Sequence, residues 1–265
     1  MTTTLKRVIG LLLWTGSYAV LTVLLVGCGG GTEREAQPAP PATTATTATT
    51  IACTAEVEPS GSDELAYGAT ALRDLRIYDR PWGRPGERFG KINPNGVPTV
   101  FGVVARRVEE SCKPSWYQVR LPRRPNGRLG WVRAADVTVG EVRTRILVDL
   151  SERRVTLFDH GRRVLSATAA IGSPQTPTPT GRYYVNQRLV PADASGPFGP
   201  GAIGISAFSN VLTGWTQGGP IAIHGTNRPD LLGQAVSNGC IRLPNKVLRR
   251  MFSSALAGTP VVIHE

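Results

Sequence analysis

One cysteine and one histidine near the C-terminus have surroundings that suit covalent chemistry. Cys240 follows the turn-forming Gly239, and His224 ends an apolar run. A cysteine can transfer acyl groups when a histidine takes its proton and nearby backbone N–H groups stabilise the oxyanion. The β-branched residues 221–223 predict a buried strand that ends at the histidine, and the glycine lets the backbone approach a substrate closely. Taken separately, each residue is equally compatible with a structural role, as an inert buried thiol or a hydrogen-bonded imidazole.

The wider pattern resembles the catalytic domain of the L,D-transpeptidases, the YkuD-type enzymes of peptidoglycan. Residues 224–226 are His-Gly-Thr and residues 237–242 are Ser-Asn-Gly-Cys-Ile-Arg, two elements typical of that family. A late Gly-Thr-Pro-Val stretch at 258–261 and an earlier block at 171–181 also match. The resemblance covers about residues 143–265, and its motifs are specific in combination.

The resemblance implies a two-step acyl transfer with Cys240 as the nucleophile. The thiol attacks the bond between diaminopimelate and D-alanine in a tetrapeptide stem, D-alanine leaves, and the amine of a second stem resolves the thioester. His224 is then the general base and acid, oriented by a backbone carbonyl at Gly225, with Asp230 as the nearest acidic alternative. Acylation of the thiol by carbapenems is a further implication.

The resemblance also assigns supporting roles within the two motifs. Ser237 supports the site, and the N–H of Gly239 is an oxyanion donor beside that of the nucleophile. Substrate contacts are expected from Thr226, Asn238 and Arg242. Asn238 stands where many members have a second histidine, and because it cannot titrate we exclude it as a base. No cofactor and no metal are expected.

The N-terminus has the order of an export signal. Lys6 and Arg7 precede an apolar stretch at residues 8–26, and residues 25–28 are Leu-Val-Gly-Cys. This order is typical of a secretory signal, and its end resembles a bacterial lipobox, which implies cleavage before Cys28 and lipidation of that cysteine. An uncleaved membrane-spanning anchor is the alternative, because the run approaches the ~20 residues that cross a bilayer. Both place the rest of the chain outside the cytoplasm; the lipoprotein form is held on the outer face of the cytoplasmic membrane, facing the cell wall.

Composition and pattern divide the chain into four segments. They are a lipoprotein signal peptide at 1–27, a lipid anchor with a disordered Ala/Thr/Pro-rich tether at 28–64, an SH3-like β domain at 65–140 and a catalytic domain at 141–265. The tether is predicted to be disordered because it lacks apolar residues for a core.

The predicted fold is mainly β. Short β-rich runs at 75–78, 99–104, 116–121 and 130–132 predict a small barrel, and Trp-Tyr-x-Val followed by Gly-Trp-Val resembles bacterial SH3-like domains. In the β-rich catalytic domain, runs at 146–150 and 155–158 predict a hairpin. Residues 245–256 have apolar side chains at helical spacing, so one short helix is expected after the nucleophile.

Charge and the remaining cysteines restrict the partners. The net charge is +11, but no recognition helix or interleaved aromatics accompany it, so an anionic membrane and acidic wall polymers are favoured over nucleic acid. Cys53 and Cys112 either form a disulfide in an oxidising compartment or stay free. Trp82, Trp116 and Tyr117 form either a ligand-binding face or part of a core.

Two other functions stay open at this stage. The same site with water as acceptor makes an L,D-carboxypeptidase or endopeptidase, and acceptor choice depends on the shape of the groove. A lipid-tethered wall-binding protein with an inert thiol is the non-enzymatic alternative. Stem peptides are the expected substrate in the first two cases, and the sequence does not predict an oligomeric state.

Overall fold

The structure is a computed structural model that describes residues 53–265. The predicted signal peptide at 1–27, the lipidation site Cys28 and the first part of the tether lie outside the described residues. Over residues 53–265, no helix is both long enough and apolar enough to cross a membrane.

The N-terminal half of the described chain forms an eight-stranded antiparallel sheet. Its strands are β1 (Glu56–Pro59), β2 (Ala66–Ala71), β3 (Leu75–Tyr78), β4 (Pro85–Phe89), β5 (Val100–Val108), β6 (Pro114–Arg120), β7 (Leu129–Arg133) and β8 (Val137–Val142). The order is β4-β3-β7-β6-β5-β2-β8, with β1 added on β5. The four runs predicted as strands are confirmed as β3, β5, β6 and β7. Alternating residues of these strands build one apolar core around Phe101, Val119 and Val132.

The tether predicted over 28–64 is ordered at its C-terminal end. Strand β1 runs antiparallel to β5, from Glu56 opposite Val108 to Pro59 opposite Ala105. A disulfide between Cys53 and Cys112 joins this segment to the loop that follows β5. A strand added to an existing sheet gains backbone partners without an apolar core of its own, so the composition of this segment did not reveal it.

The aromatic residues of the first sheet divide between core and surface. Trp116 is buried and packs edge-on against Tyr78, with ring centroids 4.9 Å apart. Trp82 is 64% exposed, and the Arg107 guanidinium lies 4.9 Å from its ring centroid. Tyr117 is partly buried. The core interpretation therefore applies to Trp116, whereas Trp82 is a surface residue.

The C-terminal half forms a second eight-stranded sheet, a two-stranded ladder and one helix. The elements are β9 (Thr144–Asp149), β10 (Arg154–Asp159), β11 (Arg162–Thr168), β12 (Ile171–Gly172), β13 (Gly181–Leu189), β14 (Ala202–Phe208), β15 (Pro220–His224), β16 (Ala235–Ser237), β17 (Ile241–Arg242), α1 (Asn245–Ser254) and β18 (Pro260–His264). The order in the large sheet is β11-β10-β9-β18-β13-β14-β15-β17, and β12 pairs with β16. The predicted hairpin is confirmed as β9 and β10, and the predicted helix as α1.

One face of the second sheet is covered by an apolar core to which α1 contributes Leu248 and Met251. Residues of β15 and β17 that point into this core are fully buried, among them Ile223 and Ile241. Because side chains alternate across a strand, the intervening residues of these strands lie on the opposite face. That opposite face carries the candidate site.

The two sheets meet through close backbone and hydroxyl contacts. A Cβ on Gly102 would lie 2.8 Å from the Tyr184 ring, so the glycine lets the ring pack directly on β5. The buried Tyr184 hydroxyl donates to the carbonyl of Val100 at 3.1 Å. These contacts hold the first sheet against β13.

Candidate active site

Two neighbouring strands bring Cys240 and His224 to the same face of the second sheet. Strands β15 and β17 are parallel, with Ile223 opposite Ile241. Both isoleucines point into the core, so Ala222, His224 and Cys240, each one residue away from them, point to the other face. Cys240 directly precedes β17 and His224 ends β15, so the two residues are diagonal neighbours on this face.

His224 is held as a neutral base. It is 4% exposed, and its Nδ1 lies 2.6 Å from the carbonyl oxygen of Gly225. A carbonyl only accepts, so Nδ1 carries the hydrogen and Nε2 has the free lone pair. Burial lowers the pKa of His224 to about 4; the Gly225 hydrogen bond opposes this effect, and the charge of Arg242 adds to it. The imidazole is therefore uncharged at neutral pH.

Cys240 is a neutral thiol in the resting site. The residue is partly buried and belongs to no disulfide. Burial raises the pKa of the Cys240 thiol, while a backbone hydrogen bond from Ala222 and the charge of Arg242 oppose that rise. With the imidazole also uncharged, the site rests as a thiol and a neutral imidazole rather than as an ion pair. For this sulfur to attack a carbonyl group, its proton would have to move to a base, and a neutral imidazole can accept it.

The loop before the nucleophile is fixed by its own serine. The Ser237 hydroxyl donates to the carbonyl of Cys240 at 2.5 Å and accepts from the Gly239 N–H at 3.1 Å. Gly239 has φ +105°, and a Cβ there would lie 2.9 Å from Cδ1 of Ile221. The two hydrogen bonds of Ser237 fix the shape of this loop, and its role in supporting a reaction stays a prediction. The Gly239 N–H, which the sequence predicted as an oxyanion donor, is bound to the serine hydroxyl in this structure.

Two threonines from the loop after β12 hold the nucleophile loop from the other side. Thr178 Oγ1 donates to the carbonyl of Gly239 at 2.9 Å and accepts from the Gly172 N–H at 2.9 Å. Thr176 Oγ1 donates to the carbonyl of Ser237 at 2.9 Å. Sequence reasoning had matched this block to the family but assigned no role to either hydroxyl. The two threonines in this turn-rich block could have indicated such a role, because a hydroxyl that becomes buried needs hydrogen-bond partners.

Asn245, the first residue of α1, holds the segment after the histidine. Its Oδ1 accepts from the Thr226 N–H at 2.8 Å, and a Cβ on Gly225 would lie 2.3 Å from that oxygen. The Thr226 hydroxyl accepts from the Arg228 N–H at 2.9 Å. Thr226, predicted as a substrate contact, is buried, and its hydroxyl is used inside the loop. Asn245 was missed by sequence reasoning.

Arg242 places a positive charge beside both reacting groups. It lies opposite His224, and its backbone N–H donates to the carbonyl of Ala170 at 2.8 Å. Its Nε is buried and has no hydrogen-bond partner within residues 53–265. Its charge lowers the pKa of His224 and of Cys240. Asn238, by contrast, is exposed on the loop.

An aromatic side chain that the sequence did not indicate lies next to the imidazole. The Phe198 ring centroid is 4.9 Å from that of His224, with the ring planes tilted by 59°. The phenyl group is 47% exposed. It belongs to the loop between β13 and β14, so this loop forms one side of the site.

The face that carries Cys240 continues across the sheet toward β13. Ala222 is paired with Gly204, and Gly204 with Gln187. A Cβ on Gly204 would lie 2.6 Å from Cγ of Gln187, so the glutamine side chain lies over β14. Its Oε1 accepts from Asn93 at 3.0 Å and Asn95 at 2.9 Å, both in a loop of the first sheet. A cavity of about 500 Å³ opens there, and its amide side chains are those of Asn93, Asn95, Asn186, Gln187 and Gln217.

The acidic alternative and the other two histidines are not part of this arrangement. Asp230 is exposed and bound by Arg228 through contacts of 2.7 and 3.0 Å, whereas the Nδ1 of His224 contacts a carbonyl. His160 contacts Asp159 in an exposed turn, and His264 lies on β18, in the interior of the second sheet. The contact that the structure shows at the imidazole of His224 is with the carbonyl of Gly225, the partner that the family resemblance implies.

Comparison with known proteins finds a matching family model and several similar proteins. Residues 143–263 match the model of the YkuD family, described as the L,D-transpeptidase catalytic domain. The chain is 35% identical over 119 residues to the Bacillus subtilis protein named "Putative L,D-transpeptidase YkuD", an alignment that covers 45% of this chain and 65% of the relative. It is 28% identical to a mutant of the Enterococcus faecium L,D-transpeptidase in a crystal structure, with a TM-score of 0.36, covering 46% of this chain and 49% of that one. The chain thus spans just under two thirds of the length of the curated relative. These matches support a YkuD-type L,D-transpeptidase catalytic domain at residues 143–263.

Proposed function

We propose that the protein is a peptidoglycan L,D-transpeptidase that cross-links stem peptides through a thioester on Cys240. One observation carries this proposal: Cys240 and His224 share the outer face of β15 and β17, and the Gly225 carbonyl fixes Nδ1 so that Nε2 is the base. A thiol beside a neutral imidazole can transfer acyl groups without a cofactor.

In the first step the thiol proton moves to His224 Nε2 while the sulfur attacks the carbonyl carbon of the L,D-peptide bond. The oxyanion is received by the N–H of Cys240, because that of Gly239 is bound to Ser237. The imidazolium then protonates the leaving amine, the C–N bond breaks and D-alanine departs. A thioester remains on the sulfur.

In the second step an amine of another stem attacks the thioester. His224 takes the proton of this amine and returns it to the departing sulfur, which restores the thiol and leaves a new amide bond. Water in place of the amine gives hydrolysis, and the enzyme is then an L,D-carboxypeptidase or endopeptidase.

Two features of the site suit a peptide with a carboxylate. Arg242 is partly exposed, and its guanidinium can hold that carboxylate. The amide-lined cavity at Gln187 is three strand spacings from β17, roughly 14 Å at about 4.8 Å per strand. A peptide of about four extended residues spans this distance, as a tetrapeptide stem requires.

The location of the enzyme is part of the proposal. Export, cleavage before Cys28 and acylation of that cysteine would hold the chain on the outer face of the cytoplasmic membrane, with the first sheet as an SH3-like domain. Mass spectrometry of the membrane-extracted protein tests this, and Cys28→Ser should lose the lipid. An intact N-terminus on the membrane form would support the uncleaved anchor instead.

Purified disaccharide tetrapeptides test the activity directly. We expect a dimer that lacks one D-alanine, detected by mass spectrometry, and no product from Cys240→Ala. A tripeptide monomer without dimer would indicate the hydrolase. Unchanged substrate would contradict both enzymatic functions, and a carbapenem adduct on the Cys240 peptide of the same sample shows whether the thiol was competent.

A further inference from the structure

A second cavity, of about 300 Å³, lies between the two sheets and away from the candidate active site. Strands β9, β18 and β13 form one wall, and β2, β5 and β6 form the other. The segment from Ser60 to Ala66 lines its rim. Nothing in the proposed acyl transfer uses this cavity.

Three arginines from three strands line the cavity: Arg120 of β6, Arg145 of β9 and Arg182 of β13. Ile146 and Tyr183 belong to the core of the second sheet. The adjacent Arg145 and Arg182 therefore lie on the opposite face of that sheet, which is turned toward the first sheet. None of the three is paired with a carboxylate within the part of the chain that the structure describes. Arg120 and Arg145 are partly buried and Arg182 is exposed at the cavity's opening, so three cations without carboxylate partners repel one another around this space.

Buried polar atoms in the wall also lack partners. Nε of Arg145 and Oγ of Ser60 are buried without a hydrogen bond within residues 53–265. The guanidinium of Arg145 lies 4.6 Å from the ring centroid of Phe158, which restricts its position. Burial lowers the pKa of Arg120, and the charge of Arg182 lowers it further. Native structures rarely leave such groups unsatisfied unless an ion or solvent occupies the space.

We propose that this cavity binds a phosphate group, either free phosphate or one in a phosphodiester polymer of the cell envelope. Three guanidinium groups and one hydroxyl offer more donors than the two oxygens of a carboxylate can accept, whereas a phosphate presents several oxygens to planar Arg forks. Asp63, on the exposed rim, is the one acidic residue among the lining residues described, so the cavity keeps a positive excess that suits such an anion.

Calorimetric titration of the full-length protein with inorganic phosphate, at constant ionic strength, tests the site. We expect one saturable site per chain, and at least a tenfold weaker affinity in Arg145→Gln and in Arg182→Gln. Arg163→Gln is the matched control, because Arg163 is exposed on β11 of the same sheet and its loss changes the net charge equally. Its affinity should equal that of the wild type.

Thermal unfolding separates loss of the site from loss of the fold. Phosphate should raise the melting temperature of the wild type and of Arg163→Gln but not that of Arg182→Gln. Without phosphate, Arg182→Gln should melt no lower than the wild type, because one repulsive charge is removed.

Three results would overturn the proposal: no saturable binding, an equal loss of affinity in Arg163→Gln, or tighter binding of the dicarboxylate succinate than of phosphate. A glycerol phosphate oligomer identifies the source. Binding at least tenfold tighter than inorganic phosphate supports a polymer ligand, and equal binding per phosphate supports free phosphate.

Discussion

Replacing His224 by glutamine should remove a defined part of the pH dependence of stability. Burial lowers the pKa of His224 to about 4, whereas an unfolded histidine has a pKa of about 6.5. Between these values the unfolded state binds more protons than the folded state, so the free energy of unfolding falls as the pH falls. A difference of one pKa unit corresponds to about 1.36 kcal/mol, so the difference between the two pKa values corresponds to about 3 kcal/mol of stability. About 2 kcal/mol of this stability is lost between pH 7 and pH 5. Glutamine does not titrate, and its amide can still donate to the carbonyl of Gly225.

Urea unfolding of both proteins at pH 5, 6, 7 and 8 measures this contribution. The wild type should lose about 2 kcal/mol more than His224→Gln between pH 7 and pH 5. His160→Asn is the control, since His160 lies in an exposed turn with φ +47°, a conformation that asparagine tolerates. Its stability should still fall as the pH drops, because His224 is retained. If the wild type and His224→Gln lost stability in parallel, the neutral buried imidazole, and with it the assignment of Nε2 as base, would be wrong.

Three further changes test the scaffold of the site. Gly239→Ala should slow carbapenem acylation at least tenfold, because φ is +105° and the new Cβ would lie 2.9 Å from Ile221; adduct formation over time measures it. Thr178→Val removes two buried hydrogen bonds of the hydroxyl and should lower the free energy of unfolding by about 2–4 kcal/mol in urea titrations. Cys53→Ser opens a disulfide that joins residues 59 positions apart and should cost about 4 kcal/mol, a loss that reduction of the wild type should reproduce.

Matched substitutions decide whether these effects are local. Gly140→Ala, where no atom lies within 4 Å of the new Cβ, should acylate at the wild-type rate. Thr138→Val, at an exposed position of β8, should leave the free energy of unfolding nearly unchanged. Equal losses in the controls and in the test variants would contradict the assigned contacts.

The elements that the sequence predicted are those whose signals are local. The hairpin of β9 and β10 and the helix α1 follow from alternation and helical spacing within short segments. Strand β14 was not predicted, and neither was the parallel pairing of β15 with the two-residue β17. A parallel pair is set by long connections and by neighbours far apart in sequence, so local periodicity cannot indicate it.

The candidate site shows the same limit. From residue types and their order, the motif predicted roles for Cys240, His224 and Ser237, and these roles stay predictions. It assigned an oxyanion role to the Gly239 N–H, yet that group is bound to the serine hydroxyl at 3.1 Å. Hydrogen-bond partners and burial depend on the folded backbone, and residue types alone do not determine them. For the same reason Asn245 and Phe198 were not foreseen.

Arg242 connects the electrostatics of the two reacting groups. Its charge lowers the pKa of the thiol and also that of the imidazole, so it favours the thiolate while it disfavours the imidazolium. A resting ion pair would need both charged forms at once, and burial opposes each of them. In the proposed acyl transfer, the site therefore keeps both partners neutral until the sulfur attacks. Positioning, the oxyanion donor and protonation of the leaving amine must then supply most of the rate acceleration, rather than a pre-formed thiolate.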